Sequence, residues 1–191
     1  MQDNKTPQNN VTADTLAAAA SKAGKKGPPP VHLWNPAFCG DLDMEIRADG
    51  TWFYLGTPIG RMPLVKLFAS ILKLEDGKFF LVTPVEKVGI RVEDAPFIAV
   101  DFRSEGDDLI FTTNVGDEVT AGPDHAIRVA FKDDEPRPYI HIRRGLEARI
   151  DRKSFYRLID IAQTRAVDGE DWLGIASGGA FFAVIKSADL P

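Results

Sequence analysis

One cysteine, three histidines and a run of arginines carry most of the chemistry open to this chain of 191 residues. Cys39 becomes a nucleophile only if a nearby base or a helix N-terminus lowers its pKa. His32 lies seven residues away, and that spacing fixes no distance. Cys39 is therefore read as a small buried or half-buried thiol, with oxidation sensing as the reactive alternative. His32, His125 and His141 are far apart in sequence, and there is no HExxH and no paired CxxC. No structural zinc site is expected. Asp41, Asp43 and Glu45 begin like a calcium loop, but position six is Ile46 instead of glycine and position twelve is Trp52 instead of glutamate. The outward face of a strand accounts for that spacing. Without a Walker loop, a GxGxxG or a GxSxG, the usual nucleotide and hydrolase fingerprints are missing. No cofactor and no metal are expected.

The arginines remain. Arg137, Arg143, Arg144, Arg149, Arg152, Lys153 and Arg157 fall in segment 136–165, of net charge +5, directly after segment 101–135, of net charge −7. Either the two segments complement each other or face solvent, or the guanidinium groups form an anion-binding patch. Arg143 and Arg144 are neighbours on a strand and point to opposite faces, so at most one joins a given site. Asn114-Val115-Gly116-Asp117 and Ser177-Gly178-Gly179 expose backbone donors where side chains are small, as anion nests require. Glycine-rich hairpin turns look the same for conformational reasons. Trp34, Trp52 and Trp172 are stacking surfaces or, in strands, core.

The elements that must position these groups can be read from composition and period. The chain has 28 acidic residues against 23 Lys and Arg, a net charge of −5 and a hydrophobic fraction of 44%. This excludes a collagen, a disulfide-stapled miniprotein, a disordered chain and a membrane bundle. An acidic total gives no global attraction to nucleic acid, and no extended nucleic acid is expected as a partner. A single cysteine forms no intramolecular disulfide, which fits a reducing cytosol. The apolar run at 16–20 is too short for a secretion signal, and its lysines follow it. The longest uncharged stretch, 172–185, is broken by Gly178 and Gly179 and is shorter than the roughly 20 residues of a membrane span. The expected location is cytoplasmic, with no membrane partner.

Residues 1–30 read as a tail. Its first ten positions are polar, 13–23 is an alanine-rich helix expected to dock on the body, and Gly24 to Gly27 leads into the spacer Pro28-Pro29-Pro30. Leu42, Met44 and Ile46 alternate with Asp41, Asp43, Glu45 and Arg47, predicting a half-buried strand. Asp49-Gly50 signals a two-residue hairpin turn, with a return strand at 52–55. Leu64, Leu67, Phe68, Ile71 and Leu72 predict a helix over 63–72. Strands follow at 79–83, 86–92, 98–103, 109–113, 118–121, 127–131, 139–143 and 146–150. A second helix over 153–163 and a hairpin at 172–176 and 180–185 close the chain. Hairpin, helix, hairpin thus occurs twice, offset by roughly 90–95 residues. The fold class is α+β: two related lobes of antiparallel strands, 31–94 and 95–191, each with a helix.

Several long segments also resemble a known family. Trp34-Asn35-Pro36-Ala37-Phe38-Cys39-Gly40-Asp41, DGTWFYLGTPIGR at 49–61, VTPVEKVGIRVEDAPF at 82–97, TNVGDEV at 113–119 and SGGAFF at 177–182 are similar to the bacterial, mainly proteobacterial, family called domain of unknown function 1285. The resemblance covers about 31–185. It implies a duplicated α+β core in two lobes, the second pleckstrin-homology-like. It also implies a ligand site at the lobe interface for a nucleotide-like molecule, and a role in signal transduction. It supplies no catalytic residue.

The expected function is a cytosolic ligand-binding or signalling module that takes a small anionic or nucleotide-like ligand at the cleft between the two lobes. Arg61, Glu86, Arg91, Asn114, Asp117, Arg143, Ser177 and Gly178 are the expected contacts. One alternative is an enzyme using Asp117 and Glu86 with Cys39 or a histidine. Another is a protein-interaction scaffold, which an exposed sheet edge would favour. Oligomeric state is not legible.

Overall fold

The computed structural model describes residues 11–24, 28–133 and 135–190. The polar first ten residues and the Lys25-Lys26-Gly27 link of the expected tail lie outside the described residues. The chain forms two compact units. One takes the residues up to Arg47 together with Thr51–Glu93, and the other takes Ala48–Gly50 together with everything from Asp94 on.

The N-terminal unit begins with α1 (Ala13–Ala23). Thr12 caps it, accepting from the Thr15 N–H, and the Thr15 hydroxyl bonds back to Thr12. Ala13, Leu16 and Ala20 are buried, and the helix packs on α2 (Met62–Ser70). An alanine helix this short gains its stability from that contact more than from propensity. Between the helices come β1 (Phe38–Ile46), β2 (Trp52–Tyr54) and β3 (Thr57–Pro58). After α2 come β4 (Leu72–Glu75), β5 (Lys78–Val82) and β6 (Lys87–Val92). All six strands form one sheet in the order β3-β2-β1-β6-β5-β4. Leu42, Met44 and Ile46 point inward and Asp41 and Asp43 outward, as the alternation predicts. Trp52 is core, stacked on Phe68 at 6.2 Å between centroids.

The C-terminal unit has β7 (Phe97–Glu105), β8 (Asp108–Thr113), β9 (Glu118–Thr120), β10 (Ile127–Lys132), β11 (Glu135–Arg143) and β12 (Leu146–Ile150). These make a six-stranded sheet in the order β10-β11-β12-β7-β8-β9. Next comes α3 (Arg152–Asp160), capped by Asp151, whose carboxylate accepts from the Ser154 N–H at 2.7 Å. β13 (Gln163–Val167), β14 (Glu170–Ser177) and β15 (Ala180–Lys186) form a separate three-stranded sheet.

The repeat is visible in both units: β1-β2, α2, β4-β5-β6 against β11-β12, α3, β13-β14-β15. The hairpin after each helix turns on an Asp-Gly pair with both residues at positive φ. The values are 48° and 75° at Asp76-Gly77, and 52° and 83° at Asp168-Gly169, the geometry of a two-residue hairpin. What differs is the pairing. β1 has an edge available to β6, and the two pair in parallel. β11, in the corresponding place, already has β10 on one edge and β12 on the other. The last three strands of the C-terminal unit therefore pair only among themselves.

Four expectations are corrected. The strands are not all antiparallel, since β1–β6 and β7–β12 run parallel. Both helices end early, because the N–H groups of Ile71 and Ile161 bond to carbonyls three residues back and tighten the last turn. The residues beyond them start β4 and β13, neither of which was expected. The β1–β2 connection is a three-residue tip, 48–50, closed by Arg47 N–H to Thr51 C=O at 3.0 Å. Cys39 is exposed, because β1 pairs irregularly with β6 over its first residues and its outer end is not covered.

Candidate anion-binding site

The positive segment finds much of its counter-charge inside the C-terminal unit. Arg143 pairs with Asp117, and its guanidinium also lies 4.9 Å from the Phe97 ring. Arg157 on α3 pairs with Asp101 and donates to the Phe102 carbonyl at 2.8 Å, tying the helix to β7. Arg157, and next the Phe102 N–H, hold the Asp101 carboxyl below its ordinary range. Arg149 reaches Asp94 at 3.4 Å, and Asp94 also accepts from the Tyr139 hydroxyl at 2.7 Å. Arg128 meets Glu147 through two bonds, at 2.7 and 2.5 Å. Segments 101–135 and 136–165 thus complement each other through Arg143, Arg157 and Arg128. A broad anion patch is not what these guanidinium groups build.

Of the eight expected contacts, Arg61, Glu86 and Arg91 lie in the N-terminal unit and the other five in the C-terminal unit. Asn114 is structural: its side-chain oxygen accepts from the Ile98 N–H at 3.0 Å, and its own N–H bonds the Ile98 carbonyl at 2.8 Å. Asp117 sits on the same turn, held through Thr113, so Asn114, Asp117 and Arg143 belong to one region. Ser177 and Gly178 lie on the β14–β15 turn. The buried Ser177 hydroxyl accepts from the Leu109 N–H and donates to the Ala121 carbonyl, both at 2.8 Å. The Gly178 N–H donates to Asp108 at 3.2 Å. Gly178 has φ +56°, and a Cβ there would land on the Ala121 carbonyl oxygen. In the N-terminal unit, Arg91 is engaged by Asp43 at 2.9 Å and Glu45 at 3.6 Å. Arg61 precedes α2 and is exposed, and Glu86 is half-buried in the β5–β6 turn.

The bonds made by Ser177 and Gly178 staple the β14–β15 turn to the β7–β8 hairpin, and a cavity of about 510 Å³ opens beside the staple. The hairpin contributes Ser104, Gly106, Asp107 and Leu109. The start of β13 contributes Gln163 and Arg165, with Ile161 just before it, and the turn contributes Ser177 and Gly179. Only Asp107 and Arg165 are charged. Arg165 donates to the Gln163 side-chain oxygen at 3.0 Å and lies over the Phe181 ring, 5.1 Å from its centroid. Among the described residues no carboxylate stands within ion-pair distance of Arg165. Phe181 reaches this position because Gly174, on the strand between, has no side chain; a Cβ there would lie 2.5 Å from the ring. A planar cation on an aromatic face, steadied by an amide, presents its remaining N–H groups in a fixed fork.

Other clusters offer less. A cavity of about 430 Å³ holds Arg149 and Arg152, but it also holds Asp49 and Asp151, and Arg149 is already paired. His125 and His141 stack at 5.8 Å, a meeting that their sequence separation hid. Their Nδ1 atoms bond the carbonyls of His141 and Asp124, and Nε2 of His141 accepts from the Gly145 N–H at 3.0 Å. These rings hold backbone together. The Cys39 thiol donates to the Ala37 carbonyl at 3.3 Å, and no histidine or carboxylate bonds its sulfur among the described residues. Those residues contain no group of three His, Cys, Asp or Glu arranged to hold a metal ion, and no helix long and apolar enough to cross a membrane.

Gln163, Arg165 and Asp107 were missed from sequence. Arg165 is the last residue of the positive segment, and reading α3 through to Gln163 concealed the strand that presents it.

The comparisons with known proteins agree with the two-unit organisation. Residues 29–95 match the model described as "Domain of unknown function (DUF1285), N-terminal domain", and 96–184 match "Protein of unknown function (DUF1285), C-terminal domain". The crystal structure of a DUF1285 family protein from Silicibacter pomeroyi is 54% identical, with a TM-score of 0.82, over 91% of this chain and 96% of that one. A second crystal structure, of a DUF1285 family protein from Shewanella baltica, is 37% identical, with a TM-score of 0.51, over 61% of this chain and 90% of that one. No curated protein matches. With both family domains matched in order, and a solved relative alike over nearly its whole length, the chain belongs to the DUF1285 family.

Proposed function

We propose that the chain is a cytosolic ligand-binding module whose C-terminal unit takes a small anionic, nucleotide-like ligand in the cavity beside β13. One observation carries the reading: Arg165 is set in a 510 Å³ cavity with its guanidinium steadied by Phe181 and Gln163 and, among the described residues, not neutralised by a carboxylate. That volume falls in the range of small-molecule sites. A phosphate suits the guanidinium fork, and the backbone at Gly106 and Gly179 lines the same space without side chains. Asp107 faces a ligand's hydroxyl or amine donors, so a nucleoside monophosphate uses both charged residues. No cysteine or histidine lines the cavity, which favours binding, and signalling through binding, over nucleophilic chemistry.

Thermal unfolding of the full chain with adenosine monophosphate and with inorganic phosphate, each at millimolar concentration, tests the reading. Ligand at 100 times its dissociation constant adds about 2.7 kcal/mol, or roughly 5–10 °C in a chain of this size. The shift is expected in the wild type and absent in Arg165→Gln. No shift with either probe, or an equal shift in the variant, refutes the proposal.

A further inference from the structure

Among the described residues, β13 is an edge strand left open. In its sheet it pairs with β14 alone, whereas β15, at the opposite edge, runs beside β10. Gln163, Thr164, Arg165 and Ala166 are all exposed. The register shows which backbone groups are unused. Val167 and Glu170 flank the two-residue Asp168-Gly169 turn, and in such a hairpin the flanking residues exchange both bonds. Arg165 with Trp172 and Gln163 with Gly174 are then the next bonded pairs. The N–H and C=O groups of Thr164 and Ala166 point the other way, along the free edge. Proline, a bulge and a covering loop are the usual protections of an edge. β13 has neither of the first two, and a single charge, Arg165, stands at its centre.

We infer that β13 is a strand-addition site for an extended segment of another protein with an acidic residue at its centre. An incoming strand bonds Thr164 and Ala166, and its residue opposite Arg165 occupies a non-hydrogen-bonded position, with Cα atoms about 4.5 Å apart. Asp or Glu there reaches the guanidinium that no carboxylate of the described residues engages. A second copy of the chain is a poor occupant. The antiparallel self-pairing that uses all five residues of β13 sets Arg165 against Arg165, and like charges directly opposite are destabilising. Asp168, Glu170 and Asp171 make the turn end of the hairpin acidic, so the partner carries its acid at the centre and no second one toward that end. The inference shares Arg165 with the proposed ligand site but does not require that a small ligand bind.

The test is fluorescence polarisation with a short fluorescein-labelled peptide alternating threonine and valine around a central glutamate. Saturable binding to the full chain is expected, weaker by roughly fivefold or more when lysine replaces the glutamate. Ala166→Pro removes one outward N–H at an edge position that tolerates proline. It should abolish peptide binding while leaving the melting temperature and the response to adenosine monophosphate unchanged. Arg165→Gln should remove the preference for glutamate over lysine. A peptide N-methylated at the amides that face β13 repeats the test without altering the protein, and it should not bind. Absence of saturable binding to the wild type, or full binding by Ala166→Pro or by the N-methylated peptide, overturns the inference. Neither result touches the small-ligand proposal, which stands on its own thermal shift.

Discussion

In the N-terminal unit β6 lies against β1, and the strands after the helix become half of one six-stranded sheet. In the C-terminal unit β11 holds the place of β1 but has β10 on its edge, and β13–β15 stand apart. The two outermost strands then meet different fates. β4 is buried or half-buried throughout, and Lys73 and Lys87 converge on Glu75 at its end. β13 is exposed, and a cavity opens beside it. One order of elements thus gives a finished sheet in one unit and an unfinished one in the other. The candidate functional surface lies where the second copy cannot close.

Substitutions that probe this contrast have graded effects. The staple beside the cavity is the most sensitive point. Gly178→Ala puts a Cβ on the Ala121 carbonyl at a left-handed φ, and should cost about 2–4 kcal/mol in denaturant unfolding. The N-terminal unit has no equivalent, since its β5–β6 turn is Thr83 to Glu86 with no glycine. Next come the buried hydroxyls at the two turns. Ser177→Ala leaves the Leu109 N–H and the Ala121 carbonyl without their partner and should cost about 1–3 kcal/mol. Thr83→Val, whose bonds are local to Val85 and Glu86, should cost less, about 1 kcal/mol. Equal losses from these two would break the comparison. The hairpin glycines should behave alike, Gly77→Ala and Gly169→Ala each costing about 1 kcal/mol, because both have positive φ and open space around the Cβ.

The smallest expected effect depends on pH. Hydrogen bonds from Lys73 and then Lys87 lower the Glu75 pKa. Its stabilisation is therefore present above the unfolded glutamate pKa of about 4.3 and is lost as pH falls through the lower folded value. Glu75→Gln should remove that part of the acid dependence, at most about 1 kcal/mol for so accessible a pair, in urea titrations between neutral and acid pH. Among the described residues, β13 has no such ion pair at its edge to lose.

How much of this was legible in the sequence depended on burial. Strands with one covered face announced themselves: Leu42, Met44 and Ile46 alternate because water lies on one side only. α1 was legible over its whole extent, Ala13–Ala23, through its alanine content. β13 left no periodic signal, since Gln163, Thr164, Arg165 and Ala166 have no covered face to select apolar residues. Ile71 and Leu72 fit a helical phase because both are buried, whichever element holds them. The eight expected site residues are polar groups or loop glycines in or beside the family-like segments, and neither property distinguishes a ligand contact from a fold contact. Asn114 and Ser177 are consumed in holding strands together, and Arg143 and Arg91 in ion pairs. Arg165 was overlooked because its value lies in what does not surround it.

The most direct measurement is a two-dimensional NMR titration of the 15N-labelled full chain with adenosine monophosphate. Saturating shifts are expected at the amides of Gly106, Gln163, Arg165 and Gly179, absent in Arg165→Gln, with no comparable change at Arg61, Glu86 or Arg91. Shifts centred on the N-terminal unit, or an identical titration of the variant, would contradict a binding site formed at the unfinished sheet.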